Sequence, residues 1–299
     1  MNHESFSGTW RMLVAMALSG TIGLAVVESG LSPLTVVFFR CLIGGGALLG
    51  WLALRRDWRP LSWRDLGWLL LGGLALVANW LCLFSAYRFS SISVATVVYH
   101  TQPFMLLVLA ALWRGERIDT ARLPWLALAM LGVVFSSGLD AGASAVGWQG
   151  AALACGAALL YAVATLATQG LKHLPPAQIA AVQMVVGVVA LAPLAWPFAG
   201  PWSMRAVAAV SLLGLVHTAF MYTLMYAAFQ RLSAQAIASL SFVYPAVALL
   251  VDLVWYHAVP APLQWLGMAL IVLAVVAHRR GWHWWPSAWS AARAARPAR

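Results

Sequence analysis

The chain has 299 residues, 63% of them hydrophobic and only 9% charged, with a mean hydropathy of +0.85. Soluble domains are about 45–50% apolar and about 25% charged, so this composition excludes a soluble fold. The apolar runs are continuous rather than alternating, which excludes a water-filled β-barrel. A formal charge of +10 would suggest nucleic acid in a soluble domain; here it reads as a record of orientation in a bilayer.

A helical span needs about 20 mainly apolar residues. Runs of that kind fall at roughly 10–28, 33–54, 66–87, 92–113, 122–139, 148–170, 176–197, 206–228, 234–256 and 262–278, the fifth and tenth being short. The expected fold is therefore an all-α membrane protein of ten transmembrane helices. Connections are brief, leaving no room for a soluble insertion, and residues 282–299 form a tail rich in Arg, Ala and Trp. The first apolar stretch has a weak basic lead with Glu4 in it and no convincing cleavage site, so it reads as a retained span rather than a signal peptide. The three cysteines, Cys41, Cys82 and Cys155, lie inside apolar runs without metal-ligand spacing and read as core thiols.

Placing the N-terminus in the cytoplasm sorts the charges. Arg11, Arg55, Arg56, Arg59, Arg64, Arg114, Arg117, Arg122, Lys172, Arg231, Arg279, Arg280, Arg293, Arg296 and Arg299 then fall inside, fifteen of the eighteen basic residues. Only Arg88 and Arg205 fall outside, and Arg40 sits within a span. The positive-inside rule thus predicts both termini in the cytoplasm, in a multi-pass protein of the inner membrane.

Sliding the chain against itself by 142 residues brings the spans into register without a gap. Pro33 meets Pro175, Pro103 meets Pro245, Trp113 meets Trp255, Ser91 meets Ser233, and Gly8, Gly45 and Gly72 meet Gly150, Gly187 and Gly214. The two copies are residues 1–142 and 143–281. Five spans per copy is an odd number, so the second copy enters the membrane from the opposite side. Inverted repeats of this kind are characteristic of secondary transporters, whose binding site lies near the midplane at the repeat interface.

Pro103 and Pro245 fall near the centres of spans four and nine. A mid-helix proline removes one backbone hydrogen bond and crowds the carbonyl four residues earlier, here those of Tyr99 and Ser241. Two readings stand side by side: those carbonyls receive a substrate donor such as an ammonium, or the kinks are packing features. Around them gather Asn79 and Trp80, Tyr99, His100 and Gln102, Tyr161, His217 and Tyr222, and Ser241, Phe242 and Tyr244. Such a mixture suits a small molecule with an apolar body and polar ends, although core packing explains each aromatic taken alone. His100 and His217 are side chains that ordinarily titrate near neutral pH.

Three charged residues are candidates for pairing or coupling. Arg40 lies about eight residues into span two, hence about 12 Å deep, and it either pairs with Glu28 at the outer end of span one or contacts a substrate carboxylate. Glu28 and Asp252 are candidate proton carriers. No metal-ligand set and no cofactor motif is present.

Together these features resemble the EamA-type branch of the drug/metabolite transporter superfamily, and within it the YddG-type bacterial amino-acid exporters. The matching pieces are Pro33 with Phe39-Arg40, the run Ala86-Tyr87-x-x-Ser90-x-x-Ser93-x-Ala95 leading to Gln102-Pro103, then Glu116, with Ala228 through Tyr244-Pro245 repeating the pattern. The resemblance implies ten spans around a central cavity opened alternately to each side, with spans three, four, eight and nine dominating it. Glu116 has Ala258 at its repeat position, so there is no symmetric acidic pair. The related small multidrug exporters carry a carboxylate in mid-span one, and Met16 to Ala25 has none.

The expected function is a secondary transporter that exports small neutral amino acids, aromatic or otherwise apolar, by alternating access. The alternative is an exporter of lipophilic drugs or purine-like metabolites. An intramembrane enzyme is disfavoured by the lack of Gly-x-Ser-Gly or His-Glu-x-x-His runs, a structural or receptor protein has less need of the inverted repeat, and saturable flux would argue against a channel. The expected partners are the small-molecule substrate and the lipid bilayer, with a monomer sufficient for a complete pathway.

Overall fold

Serine, proline and glycine set many of the helix ends. The computed structural model describes residues 3–89, 92–136, 148–195, 202–257 and 259–282. The first half holds α1 (His3–Ser19), α2 (Ile22–Ser29), α3 (Pro33–Arg55), α4 (Trp63–Phe89), α5 (Ile92–Tyr99), α6 (Gln102–Arg114) and α7 (Leu123–Ser136). The second holds α8 (Trp148–Gln169), α9 (Pro176–Ala195), α10 (Met204–Gly214), a π-helical turn (Leu215–Phe220), α11 (Met221–Phe229), α12 (Ala234–Ser241), α13 (Val243–Trp255) and α14 (Pro262–Arg280).

Helix α3 starts on Ser32, whose hydroxyl accepts from the Thr35 amide, with Pro33 at the first helical position. Ser203 and Ser233 cap α10 and α12 in the same way. Helix α4 begins earlier than the apolar run because Ser62 and Asp65 cap it reciprocally: each accepts from the other's backbone N–H, at 3.1 and 3.0 Å. Gly30, Gly115 and Gly281 end α2, α6 and α14 in the left-handed conformation.

Among the described residues, seven helical stretches are long and apolar enough to cross a membrane, and Leu123–Ser136 and Pro262–His278 are shorter apolar helices. The stretch predicted at 92–113 is divided into α5 and α6. The tail beyond residue 282 and the side chains of Arg88, Arg122, Asp252 and Arg279 lie outside what the structure describes.

Packing runs across the two copies. Helices α3 and α9 pack together, as do α7 and α14, and each of these pairs consists of elements that correspond under the 142-residue shift. The α4–α8 pair likewise has its counterpart in α11–α1. Such crossings rest on small residues, because lipid tails are as apolar as Leu and attraction between helices depends on close backbone approach. A Cβ on Gly45 would lie 3.0 Å from that of Met184, and one on its repeat mate Gly187 would lie 2.7 Å from the Cys41 sulfur. Where α7 crosses α14, a Cβ on Gly132 would meet the Gly267 carbonyl oxygen at 2.7 Å, and one on Gly267 would meet that of Gly132 at 2.6 Å. Cys41 is buried, as expected of a core thiol, but Cys82 is half-buried and Cys155 is exposed on α8. An apolar run in a membrane helix has a lipid face as well as a core face, and only packing distinguishes them.

Charge separates along the bundle. Arg59 donates to the His173 carbonyl and its backbone exchanges two hydrogen bonds with Gln178; the Asp119 backbone does the same with Gln235; and Arg114 reaches Gln169. These contacts tie the loops after α3, α6, α8 and α11 into one polar end. At the other end Arg205 pairs with Glu28 at 2.9 Å, and Gln264 donates to the Ser136 carbonyl.

Replacing Gly132 or Gly267 by Val should destabilise the α7–α14 crossing by about 1–3 kcal/mol, the usual cost of overpacking. Gly46→Ala, where an added Cβ meets nothing within 4 Å, is the matched control. Thermal unfolding of the purified protein in detergent compares the three, and an unchanged midpoint for G267V would contradict the crossing.

Candidate transport cavity

The two matched prolines each follow a short interruption of a helix. Helix α5 ends at Tyr99 and α6 begins at Gln102, with Pro103 in its first turn; α12 ends at Ser241 and α13 begins at Val243, with Pro245 in its first turn. The 142-residue shift carries Tyr99 onto Ser241 and Gln102 onto Tyr244, so both breaks fall at the same repeat position. Proline is tolerated in the first turn because the N–H it lacks has no helical acceptor there. The disruption expected at the two prolines is thus a short turn just before each, in which Thr101 and Phe242 keep right-handed helical dihedrals. Thr101 bridges the first break, its amide and hydroxyl both donating to the Val98 carbonyl. The Ser241 hydroxyl donates back to the Ile237 carbonyl at 2.8 Å.

The breaks meet. The His100 imidazole stacks on the Tyr244 ring with centroids 5.0 Å apart and planes 18° from parallel. Behind it Phe242 is fully buried, 6.4 Å from both His100 and Phe104. Beside this stack lies a cavity of about 530 Å³. Tyr99, His100 and Gln102 line it from the first break, and Ser241, Tyr244 and Pro245 from the second. Trp80, Tyr161 and Tyr222 complete the aromatic wall, with Trp80 and Tyr222 edge to face at 5.7 Å. The cavity extends past Val27, Val251 and Tyr256 to Gln264 and Ser136, toward the end that carries Glu28 and Arg205.

Arg40 also lines the cavity and is fully buried. Its Nε donates to Thr218 Oγ1 at 2.9 Å and its Nη2 to the His217 carbonyl at 3.0 Å. The guanidinium lies 4.0 Å above the Trp80 ring and 5.7 Å from that of Tyr222, a geometry in which the ring faces attract the cation. Both hydrogen-bond acceptors sit on the π-helical turn. Its looser winding places side chains against carbonyls five residues back: Thr218 donates to the Leu213 carbonyl at 2.8 Å, and His217 Nδ1 is 3.3 Å from that of Leu212. The expected Arg40–Glu28 pair is not formed. Glu28 instead pairs with Arg205 and accepts from the Tyr256 hydroxyl at 3.3 Å.

Asn79, His217 and Phe242, singled out from sequence with the others, do not line the cavity. Asn79 is buried against α8, donating to the Ala157 carbonyl at 2.7 Å and to the Tyr99 hydroxyl at 3.4 Å. His217 Nε2 lies 2.7 Å from Thr21 Oγ1 and so fastens the π-turn to the break between α1 and α2. Asp252 lies on α13, but its side chain is outside the described residues. Conversely, sequence reasoning passed over the contribution of the first span. Met16, Ser19 and Gly20 face the cavity from α1 and its end, with Ser19 donating to the Met221 sulfur at 3.3 Å. The available signal was the Ser19-Gly20-Thr21 run, the one weakly apolar point in that span. The expectation that spans three, four, eight and nine dominate is thus extended by span one. Among the described lining residues Arg40 is the one formally charged side chain besides the ionisable His100; no Asp or Glu is present.

Comparison with known proteins agrees with this architecture. The family model for the EamA-like transporter family matches twice, at residues 7–138 and 148–278. The uncharacterized transporter YxxF of Bacillus subtilis is 31% identical over 272 residues, covering 87% of this chain and 86% of its own. The pseudopaline exporter CntI of Pseudomonas aeruginosa is 28% identical over 261 residues, covering 82% and 85%. A crystal structure superimposes with a TM-score of 0.80 at 21% identity, covering 92% of this chain and 99% of that one, which establishes likeness of fold. An integral membrane protein with the family's helical fold and a double match to its model, the chain belongs to the EamA-like transporter family.

Proposed function

We propose that this transporter exports small neutral amino acids, aromatic or otherwise apolar, across the inner membrane by alternating access. In this reading ten transmembrane helices form two inverted five-helix repeats, residues 1–142 and 143–281, with both termini cytoplasmic. The observation that carries it is the pair of helix breaks stacked face to face through His100 and Tyr244 beside a cavity that both halves line. Interruptions of a helix at membrane depth are tolerated where they line a protein-walled cavity, and discontinuous helices at a repeat interface are where transporters bind substrate. An aromatic wall with a few polar groups fits an amino acid with an apolar side chain. With the arginine-rich end in the cytoplasm, the cavity opens outward past Glu28 and Tyr256, and transport proceeds by rocking that opening closed. The Glu28–Arg205 pair, whose arginine is exposed, then opens or re-forms at the rim. The likeness to a pseudopaline exporter favours a second reading, export of a pseudopaline-like molecule through the same cavity.

Proteoliposomes containing the purified protein should show saturable counterflow of labelled phenylalanine, inhibited by other apolar amino acids. Inhibition by pseudopaline without any by amino acids would select the second reading. Repeating the assay with an imposed pH gradient, and with Glu28→Gln and Asp252→Asn, tests coupling: proton antiport through either carboxylate predicts gradient-driven flux that the relevant variant loses, while facilitated diffusion predicts flux indifferent to both.

Tyr244→Ala removes the stack between the breaks and should lower transport by about 2- to 10-fold, an aromatic pair being worth about 0.5–1.5 kcal/mol beyond the area it buries. Val189→Ala, on an exposed face of α9, should leave it unchanged. For orientation, Ser19→Cys in a cysteine-free background should react with a membrane-impermeant thiol reagent from the periplasmic side. A cysteine at Arg56 should react only after the inner face is exposed.

A further inference from the structure

Arg40 is a fully buried cation whose hydrogen-bonding capacity is only partly used. A guanidinium presents five N–H donors in one plane. In Arg40 the Nε and Nη2 side is engaged by Thr218 and the His217 carbonyl, and the ring faces of Trp80 and Tyr222 answer the charge from above. Nη1 is buried and has no hydrogen-bond partner among the described residues, on a residue that lines the cavity. The Gln102 Nε2, on the same cavity, is also a buried donor without a partner. Leaving such donors unmet is expensive, most of all on a charged group. The one carboxylate expected to answer Arg40, Glu28, is held by Arg205.

We propose that Arg40 is the carboxylate receptor of the transport site: its Nη1 edge binds the carboxylate of the substrate, so the transporter selects molecules with a carboxylate next to an apolar body. The inference rests on the cavity being the substrate site, as proposed above, and adds the group by which substrate is held. Charge assistance and a planar fork suited to a carboxylate make this the strong contact of the site. The Leu83, Phe84, Met221 and Met225 side chains on the same cavity receive the apolar body. Thr218 and the π-turn are positioning groups: they engage one edge of the guanidinium and leave the other to the ligand.

The test is calorimetric titration of the full-length protein in nanodiscs with four compounds that share one ring: phenylalanine, 3-phenylpropionate (carboxylate, no amine), phenylalaninamide and phenethylamine (amine, no carboxylate). Phenylalanine and phenylpropionate should bind at least about tenfold more tightly than the other two, as expected for loss of a hydrogen bond to a charged group. Arg40→Gln should weaken the two carboxylates by about 10- to 100-fold, leave phenethylamine unchanged and so erase the discrimination, with Arg40→Lys in between. Binding of phenylpropionate without phenylalanine would overturn the amino-acid reading and keep the carboxylate site. Equal binding of phenylalanine and phenethylamine by the unsubstituted protein would overturn the carboxylate site and keep the amino-acid reading; this comparison does not depend on R40Q folding.

Discussion

In hydrocarbon no water is present to complete an unpaired backbone group or solvate a charge, and each such group costs several kcal/mol if left alone. The rest of this structure follows from that constraint. Long stretches stay helical because helices satisfy their own backbone, and the helices break only where protein surrounds a cavity. The two breaks, after Tyr99 and after Ser241, face one another; Thr101 and Ser241 use their hydroxyls on neighbouring carbonyls, and the aromatic rings of His100 and Tyr244 close the gap. A third interruption, between α1 and α2, is fastened to the π-turn through Thr21 and His217.

The same constraint organises the charged residues. Among the described residues Arg40 is retained at depth by a hydroxyl, a carbonyl and two ring faces rather than by a counter-ion. The polar loops elsewhere are tied by glutamines that bond both the N–H and the C=O of one loop residue, Gln178 on Arg59 and Gln235 on Asp119. A Gln side chain imitates a peptide group, so it can close a backbone segment as a strand partner would without adding charge. The loops at that end are held by these pairs, whereas among the described residues the rim at the other end is tied by the half-exposed Glu28–Arg205 ion pair, a phenolic hydrogen bond and the Gln264–Ser136 contact. That contrast in strength matches a molecule open at one end.

Much of this was legible in the sequence. Composition and run length established an all-helical membrane protein, and the 142-residue shift anticipated that Pro103 and Pro245 would be equivalent and that the cavity would gather around them. Eight of the eleven residues named for substrate line it: Trp80, Tyr99, His100, Gln102, Tyr161, Tyr222, Ser241 and Tyr244. The three that do not, Asn79, His217 and Phe242, have the right chemistry and depth but face a neighbouring helix. Depth can be read from position along a span; facing cannot be read where nearly every neighbour is apolar and the helical periodicity carries little contrast. The first span was passed over for the same reason, since methionine and glycine look alike on a lipid face and a cavity wall.

The sequence by itself determined the solvent, the number of apolar runs and their pairing into two copies, because these depend on composition and spacing alone. Tertiary structure decided which acid pairs with which base and where the prolines act. Glu28 and Arg40 were natural partners on a line drawn along the chain, yet the packing of α2 against α10 brings Glu28 to Arg205, and the π-turn brings Thr218 and a carbonyl to Arg40. A π-turn has no sequence signature among apolar residues; it forms where neighbouring helices supply the contacts that offset its looser winding. That local choice leaves one nitrogen of a buried guanidinium without a hydrogen-bond partner among the described residues, a property no reading of residue types could have supplied.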